Sequence, residues 1–364
     1  MSARAIFAST VLASLASVFA ASCSRSHAPT SAQEVSAQSG GADFVLAQAP
    51  IQERMRLAPT TVRHSGTRRL VFHYDIAGVA HTMRYEERMT ADGTGRFAID
   101  PLRVVEPAMT VEQHEVFELL QKNREGFFHR FRDFGVRQRD LFLANYRIVD
   151  LHTNPVVVGR ACNEFEVERK TGTGDKYRLA VDVQTALVLR SIEFAESGGE
   201  VARVEFVDFT LDPVLDNVAW FTPRYDGTPF DPANHAAAGL AFKPHVPRLL
   251  PAGYQHLHSE ILRDAADEAW LRHVYSDGVE NLLVLEKTAH VGVGDLATPT
   301  RSTSRTQQPE EQTASVPTLP APYKVRLMNA GALTIAEVEQ GGSQLFVVGK
   351  ISEDDVLRVL KSAR

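Results

Sequence analysis

Thirteen histidines in a chain of 364 residues invite metal or acid–base chemistry, and the pair best spaced for it is His256 and His258. On a strand, residues two apart share a face. This spacing therefore predicts both imidazoles on one side, where two can begin to chelate a divalent cation. No third ligand stands at a matching spacing. His235 and His245 lie in a proline-rich stretch nearby, and nothing in the pattern makes them converge. Glu86 and Glu87 are neighbours on a strand-like run and so point to opposite faces, which rules them out as a paired acid and base. Glu310 and Glu311 fall in a polar segment, where solvent keeps carboxylates ordinary. No Gly-x-Ser-x-Gly elbow, phosphate-cradling glycine loop or His-Glu-x-x-His helix occurs. We therefore expect no catalytic residues, no metal and no cofactor, and a protein that binds rather than transforms. Catalytic groups gathered from distant strands would leave no such local spacing.

Two cysteines remain, Cys23 and Cys162, too few for a disulfide framework or a cysteine metal cluster. Cys23 ends an export-type N-terminus. Arg4 precedes an unbroken run of apolar and small residues over 5–21, too short and alanine-rich for a comfortable membrane span, so 1–22 reads as a signal peptide. Ala20-Ala21-Ser22-Cys23 resembles a bacterial lipobox, with Ala20 in place of the usual leucine. That resemblance implies a lipidated Cys23 whose acyl chains tether an exported, periplasmic chain to a membrane. The alternative is cleavage after Ala20, leaving Cys23 an idle thiol. Residues 23–50 are rich in Ser, Ala, Gln and Gly and predict a flexible leash. Cys162 is expected to be a buried structural thiol. The net charge of -6 gives no general attraction to nucleic acid. The short basic runs Arg68-Arg69 and Arg130-Phe131-Arg132 read as solvated sheet face.

The elements that must position these residues are mostly strands over 51–222. The runs 69–74, 145–149, 165–168, 177–181 and 201–209 are β-branched, aromatic or alternating, and Gly78, Asp92-Gly93 and Ser197-Gly198-Gly199 punctuate them as turns. Without intervening helices, this predicts a large antiparallel meander. One helix interrupts it, capped by Thr110 with Gln113 three residues on, and with Val116, Leu119 and Leu120 on one face. Phe117, Phe127, Phe128, Phe131 and Phe134 crowd the same region. They either fill a core or, with Leu120, line a cavity for an acyl chain. Between 223 and 247, prolines 223, 229, 232, 244 and 247 exclude long regular structure and mark a linker, with Trp220, Phe221, Phe230 and Phe242 as docking residues.

Several segments resemble a known family. Gly159-Arg160-Ala161-Cys162, the run 175–182 ending in Asp182, Thr185 and Leu189-Arg190 look like part of a LolA-like sheet. Over 248–364 the match is fuller: Leu250-Pro251-Ala252-Gly253-Tyr254, Tyr275-Ser276-Asp277-Gly278, the apolar return 282–287, Asn329-Ala330-Gly331, Leu345-Phe346-Val347-Val348-Gly349, and a last helix over 353–361 capped by Ser352. Together they resemble the MucB/RseB family of sigma-factor regulators. Two departures stand out: Ile351 replaces the usual proline, and 294–322 is a polar insertion expected to be disordered. The resemblance implies an α+β, mostly antiparallel fold. A curved half-open β-barrel with a helix on its concave face would be followed by a smaller α+β domain. It also implies a regulator that binds the periplasmic segment of a membrane anti-sigma factor and senses lipid or lipoprotein. Tyr254, Tyr275, Asp277, Trp220 and Phe230 are the candidate partner interface. The rival expectations are a lipid or lipoprotein carrier of the LolA type and a purely structural envelope lipoprotein.

Overall fold

A computed structural model describes residues 49–363, apart from 77–78, 109–133, 172–175, 221–226, 232–239, 241, 264–267, 290–324 and 331–332. Cys23, the segment 294–322, and the helix expected from Thr110, with Phe117, Leu120, Phe127, Phe128 and Phe131, lie outside the described residues. The architecture is α+β and mostly antiparallel. The first sheet is built from β1 (Arg63–Ile76), β2 (Val79–Asp92), β3 (Phe97–Glu106), β4 (Tyr146–Asp150), β5 (Val156–Val157), β6 (Arg160–Arg169), β7 (Lys176–Asp182), β8 (Val188–Phe194), β9 (Glu200–Phe206) and β10 (Thr210–Leu211). Its order is β3-β2-β1-β9-β8-β7-β6-β4, with β10 on β1 and β5 on β6. Among the described residues nothing joins β3 to β4, so no barrel closes.

Strand register sorts this sheet into two faces. Tyr85, Leu70, Val204, Ser191, Leu179 and Phe165 stand opposite one another across six strands. Met83, Phe72, Ala202, Glu193, Tyr177 and Val167 form the next row. One carboxylate, Glu193, thus sits in an otherwise apolar and aromatic row. The opposite face carries Glu86, Arg69, Glu205, Arg190 and Glu164, knitted by Arg69–Glu86 at 2.9 Å and Arg190–Glu164 at 3.0 Å. Arg68 and Arg69 therefore part ways. Arg69 lies on this charged face, whereas Arg68 is buried in an ion pair with the fully buried Glu87.

Two helices appear where strands or irregular chain were expected. Helix α1 (Ile51–Thr61) lays Met55 and Ala58 into the first core, with Ile51 packed against it. The spacing of these three, four then three residues, is helical. Helix α2 (Arg139–Asn145) is a short turn that buries Phe142 against Tyr146, with ring centroids 5.5 Å apart. Phe134 is buried beside Tyr177, at 5.2 Å between centroids.

The second sheet comprises β11 (Thr228–Pro229), β12 (Gln255–Arg263), β13 (Ala269–Ser276), β14 (Asn281–Thr288), β15 (Arg326–Ala330), β16 (Leu333–Gln340) and β17 (Ser343–Gly349), in the order β11-β12-β13-β14-β17-β16-β15. Helix α3 (Glu353–Ser362) covers one face. Val356, Val359 and Leu360 pack over Leu282, Val284, Ala336, Val338, Leu345 and Val347. Ser352 Oγ accepts the Asp355 N–H at 3.1 Å, and Lys361 stands in the last turn, in accord with the helix dipole. The other face buries Trp270, Val274, Leu283, Leu285, Phe346 and Val348. Burial on both faces explains why 282–285 is a continuous apolar run rather than an alternating one. Among the described residues no helix is long and apolar enough to cross a membrane.

His273 on β13 is 1% exposed, and burial depresses its imidazole to about 4 from an ordinary 6.5. The unfolded chain therefore binds this proton first as the medium is acidified. Stability contributed by neutral His273 is complete above about pH 6.5 and drains away toward pH 4, by on the order of 3 kcal/mol. Denaturant titrations between pH 7.5 and 4.5 should show this slope, and His273→Gln should flatten it.

Candidate functional site

The hairpin between β13 and β14 joins the two sheets. Its tip is Ser276-Asp277-Gly278-Val279-Glu280, and Asp277 uses both carboxylate oxygens. Oδ1 folds the turn, accepting the backbone N–H groups of Val279 at 2.9 Å and Glu280 at 2.7 Å. Ser276 Oγ donates to Glu280 O at 2.8 Å and accepts from Gly278 N at 3.1 Å. Oδ2 turns outward to the first sheet, where Tyr146 Oη donates at 2.7 Å and Arg169 forms an ion pair. Asn145 Nδ2 donates to the backbone carbonyls of Asp277 and Gly253, each at 2.9 Å. Asp277 is fully buried.

Gly278 brings the two backbones together. Its carbonyl accepts Arg137 N at 2.8 Å and Gln138 N at 3.3 Å, immediately ahead of α2. Its φ is +104°, and a Cβ there would lie 2.3 Å from Phe142 N. Only glycine meets both demands. Val279, fully buried, belongs to the core of the first sheet rather than to that of its own. Glu280 Oε1 accepts from Tyr177 Oη at 3.1 Å and from Lys350 Nζ at 3.2 Å, and Lys350 also donates to Glu193 at 2.6 Å. The inward carboxylate of β8 thus meets a lysine from just beyond β17.

Burial governs the ionisation of these groups. It drives the Glu280 carboxyl up, with the Lys350 ammonium opposing that drift. Burial also works against the Lys350 ammonium, but Glu193 and Glu280 hold it charged beyond the ordinary lysine range. The Tyr146 phenol is pushed up by burial and then by the neighbouring Asp277 charge. A carboxylate at the end of these bonds is a low-dielectric acceptor whose partners cannot turn to water.

The structure places the expected interface residues as follows. Asp277 is at the joint, and Tyr254, 6% exposed, lies beside it. Tyr275 is 2% exposed on β13, its ring 5.3 Å from that of His256. Phe230 is buried with Phe242, Ile261 and Leu271, away from the hairpin. Trp220 is half-buried under the Arg96 guanidinium, 5.0 Å from its ring centre. The joint also recruits Asn145, Tyr146, Arg169, Tyr177, Glu193, Glu280 and Lys350, which sequence reasoning did not single out. The one available signal was Glu193, an acid at an inward strand position.

The histidine expectation is corrected. A bulge between His256 and His258 sets His256 opposite Tyr275 and His258 opposite Val274, so the two side chains face opposite ways. His256 Nε2 contacts Ser259 Oγ at 2.8 Å, and His258 Nε2 contacts Glu260 at 3.2 Å. Ser259 Oγ is 2.6 Å from His273 Nδ1, but at 6% and 1% exposed this pair is closed to substrate. Among the described residues no three ligating side chains converge. Cys162 is buried, and burial raises its thiol. A cleft of about 550 Å³ opens on the polar face of the first sheet, lined by Glu166, Glu168, Lys176, Arg178, Phe194 and Arg169, the residue that grips Asp277.

Two substitutions test the joint. Gly278→Ala should cost about 2–4 kcal/mol through the positive φ and the Phe142 backbone. Asp277→Ala strands Arg169 and Tyr146 and should cost about 3–5 kcal/mol. In a double-mutant cycle by urea unfolding, Arg169→Ala should add little once Asp277 is gone. Full additivity would show that the pair does not interact.

No family model and no curated protein sequence matches the chain. Among solved structures it is similar to MucB in complex with MucA(peri), at 15% identity, with 86% of this chain and 97% of that one covered and a TM-score of 0.46. The complex of Pseudomonas aeruginosa MucA/MucB gives 14%, 88%, 98% and 0.46. A LolA superfamily protein from Nitrosomonas europaea gives 12% identity over 46% of this chain and 94% of that one, with a TM-score of 0.19. At such identities no residue's role passes from these proteins to this chain.

Proposed function

We propose that this chain is a cell-envelope regulatory binding protein, exported and tethered to a membrane through a lipidated Cys23. In this reading its C-terminal part, 248–364, binds the periplasmic segment of a membrane-spanning anti-sigma factor. The β-sheet domain, 51–222, takes a lipid or lipoprotein. The observation that carries the proposal is the position of Tyr275-Ser276-Asp277-Gly278. The hairpin at the centre of the sequence resemblance is also the element that locks the two sheets together. A ligand that prefers parted sheets weakens partner binding by its differential affinity for the two arrangements, and the partner weakens the ligand by the same factor. Binding then needs no reactive group, in keeping with a joint made of hydrogen bonds and ion pairs.

The purified mature chain should capture the periplasmic segment of an anti-sigma factor encoded beside it. A lipid that competes should lower that affinity rather than abolish it. Absence of any capture in a pull-down confirmed by calorimetry would remove the regulatory reading.

A further inference from the structure

At the hairpin tip itself the hydrogen bonds between the sheets run in one direction, while beside it Lys350 from the second sheet donates the other way, to Glu193. The first sheet offers donors: Arg169, Tyr146 Oη, Asn145 Nδ2, Tyr177 Oη, and the backbone N–H groups of Arg137 and Gln138. The hairpin offers acceptors: the carboxylates of Asp277 and Glu280 and the carbonyls of Asp277 and Gly278. Between the two carboxylates, Val279 joins the core cluster of the first sheet, to which Phe134, Phe142 and Tyr177 also belong. The first sheet therefore presents a cradle with Arg169 and Tyr146 on one side of a hydrophobic hole and the Tyr177 hydroxyl on the other, where its own Glu193 is neutralised by Lys350 of the second sheet. Its complement is a turn with an acid, an apolar residue and a second acid.

At the hairpin the contact consists of charged hydrogen bonds around one aliphatic side chain, Val279, a more polar make-up than that of permanent interfaces. We infer that this cradle is a recognition site for acidic turns, filled in cis by Asp277-Gly278-Val279-Glu280. A partner's peptide segment of the same chemistry, two carboxylates flanking an apolar side chain, competes for it. The inference rests on the reading that the chain's partner is a protein segment, and it assigns that segment its charge pattern. The cis hairpin acts as a tethered competitor at an effective concentration on the order of millimolar. The site is thus shielded until the hairpin loosens.

The probe is a fluorescein-labelled cyclic peptide copying residues 274–283, titrated into the full mature chain by anisotropy. The chain carrying Asp277→Asn and Glu280→Gln in its own hairpin should bind the probe at least tenfold more tightly than wild type. Adding Tyr146→Phe should weaken that binding several-fold, and Arg169→Gln at least tenfold. A probe with both acids amidated should not bind. Equal binding by the Arg169→Gln chain, or binding of the amidated probe, overturns the inference. Should the doubly substituted chain fail to melt cooperatively, the wild-type chain decides. Millimolar probe should speed hydrogen exchange at 276–281, and unchanged exchange overturns the inference. Capture of an anti-sigma segment without any probe binding sinks this inference and leaves the regulatory reading standing. Probe binding without such capture does the reverse.

Discussion

The two sheets are held in register by one carboxylate that serves both. Asp277 Oδ1 closes the β13–β14 turn and Oδ2 reaches Tyr146 and Arg169. The turn therefore takes its shape from the same group that docks it. Removing the carboxylate would loosen the tip and unpair the half-buried Arg169 guanidinium at once, so local order and the joint cannot be varied independently. The Gly278 contact with Phe142 then fixes the distance between the sheets, because two backbones approach without any side chain to yield.

Charge placement sets orientation as distance sets contact. Glu193, alone among apolar neighbours on its row, has an ammonium partner because Lys350 follows β17 directly. An ion buried without its mate costs several kcal/mol, so misaligned packings of the two sheets are disfavoured by more than lost apolar area. The apolar plug Val279 contributes adhesion, and the ions around it contribute selectivity.

Much of this was legible in the sequence. The alternating runs of the first sheet, the Asp-Gly turns, the two-sided burial of β14 and the cap of α3 follow from local chemistry that operates over a few residues. Helix α1 is also legible in the spacing of Ile51, Met55 and Ala58, although the β-like residues beyond 61 obscure it. The bulge at Leu257 was not, since one extra residue in a strand leaves no compositional trace and yet turns His258 to the other face. The joint was half legible. The hairpin announced itself through its turn residues, while the side chains that receive it come from three separate segments of the chain. Asn145, Tyr146, Arg169 and Tyr177 are ordinary strand and helix-end residues until the fold assembles them.

The seven-residue helix α2 is too short to hold itself in water. The N–H groups just ahead of it bond not to a neighbouring side chain but to the carbonyl of Gly278, from the other sheet. Its persistence is thus tied to docking, and with it the seat of Phe142 in the first core. Heat or denaturant would then meet one cooperative unit here rather than two beads on a string, and a scanning calorimeter would record the sheets melting as partners.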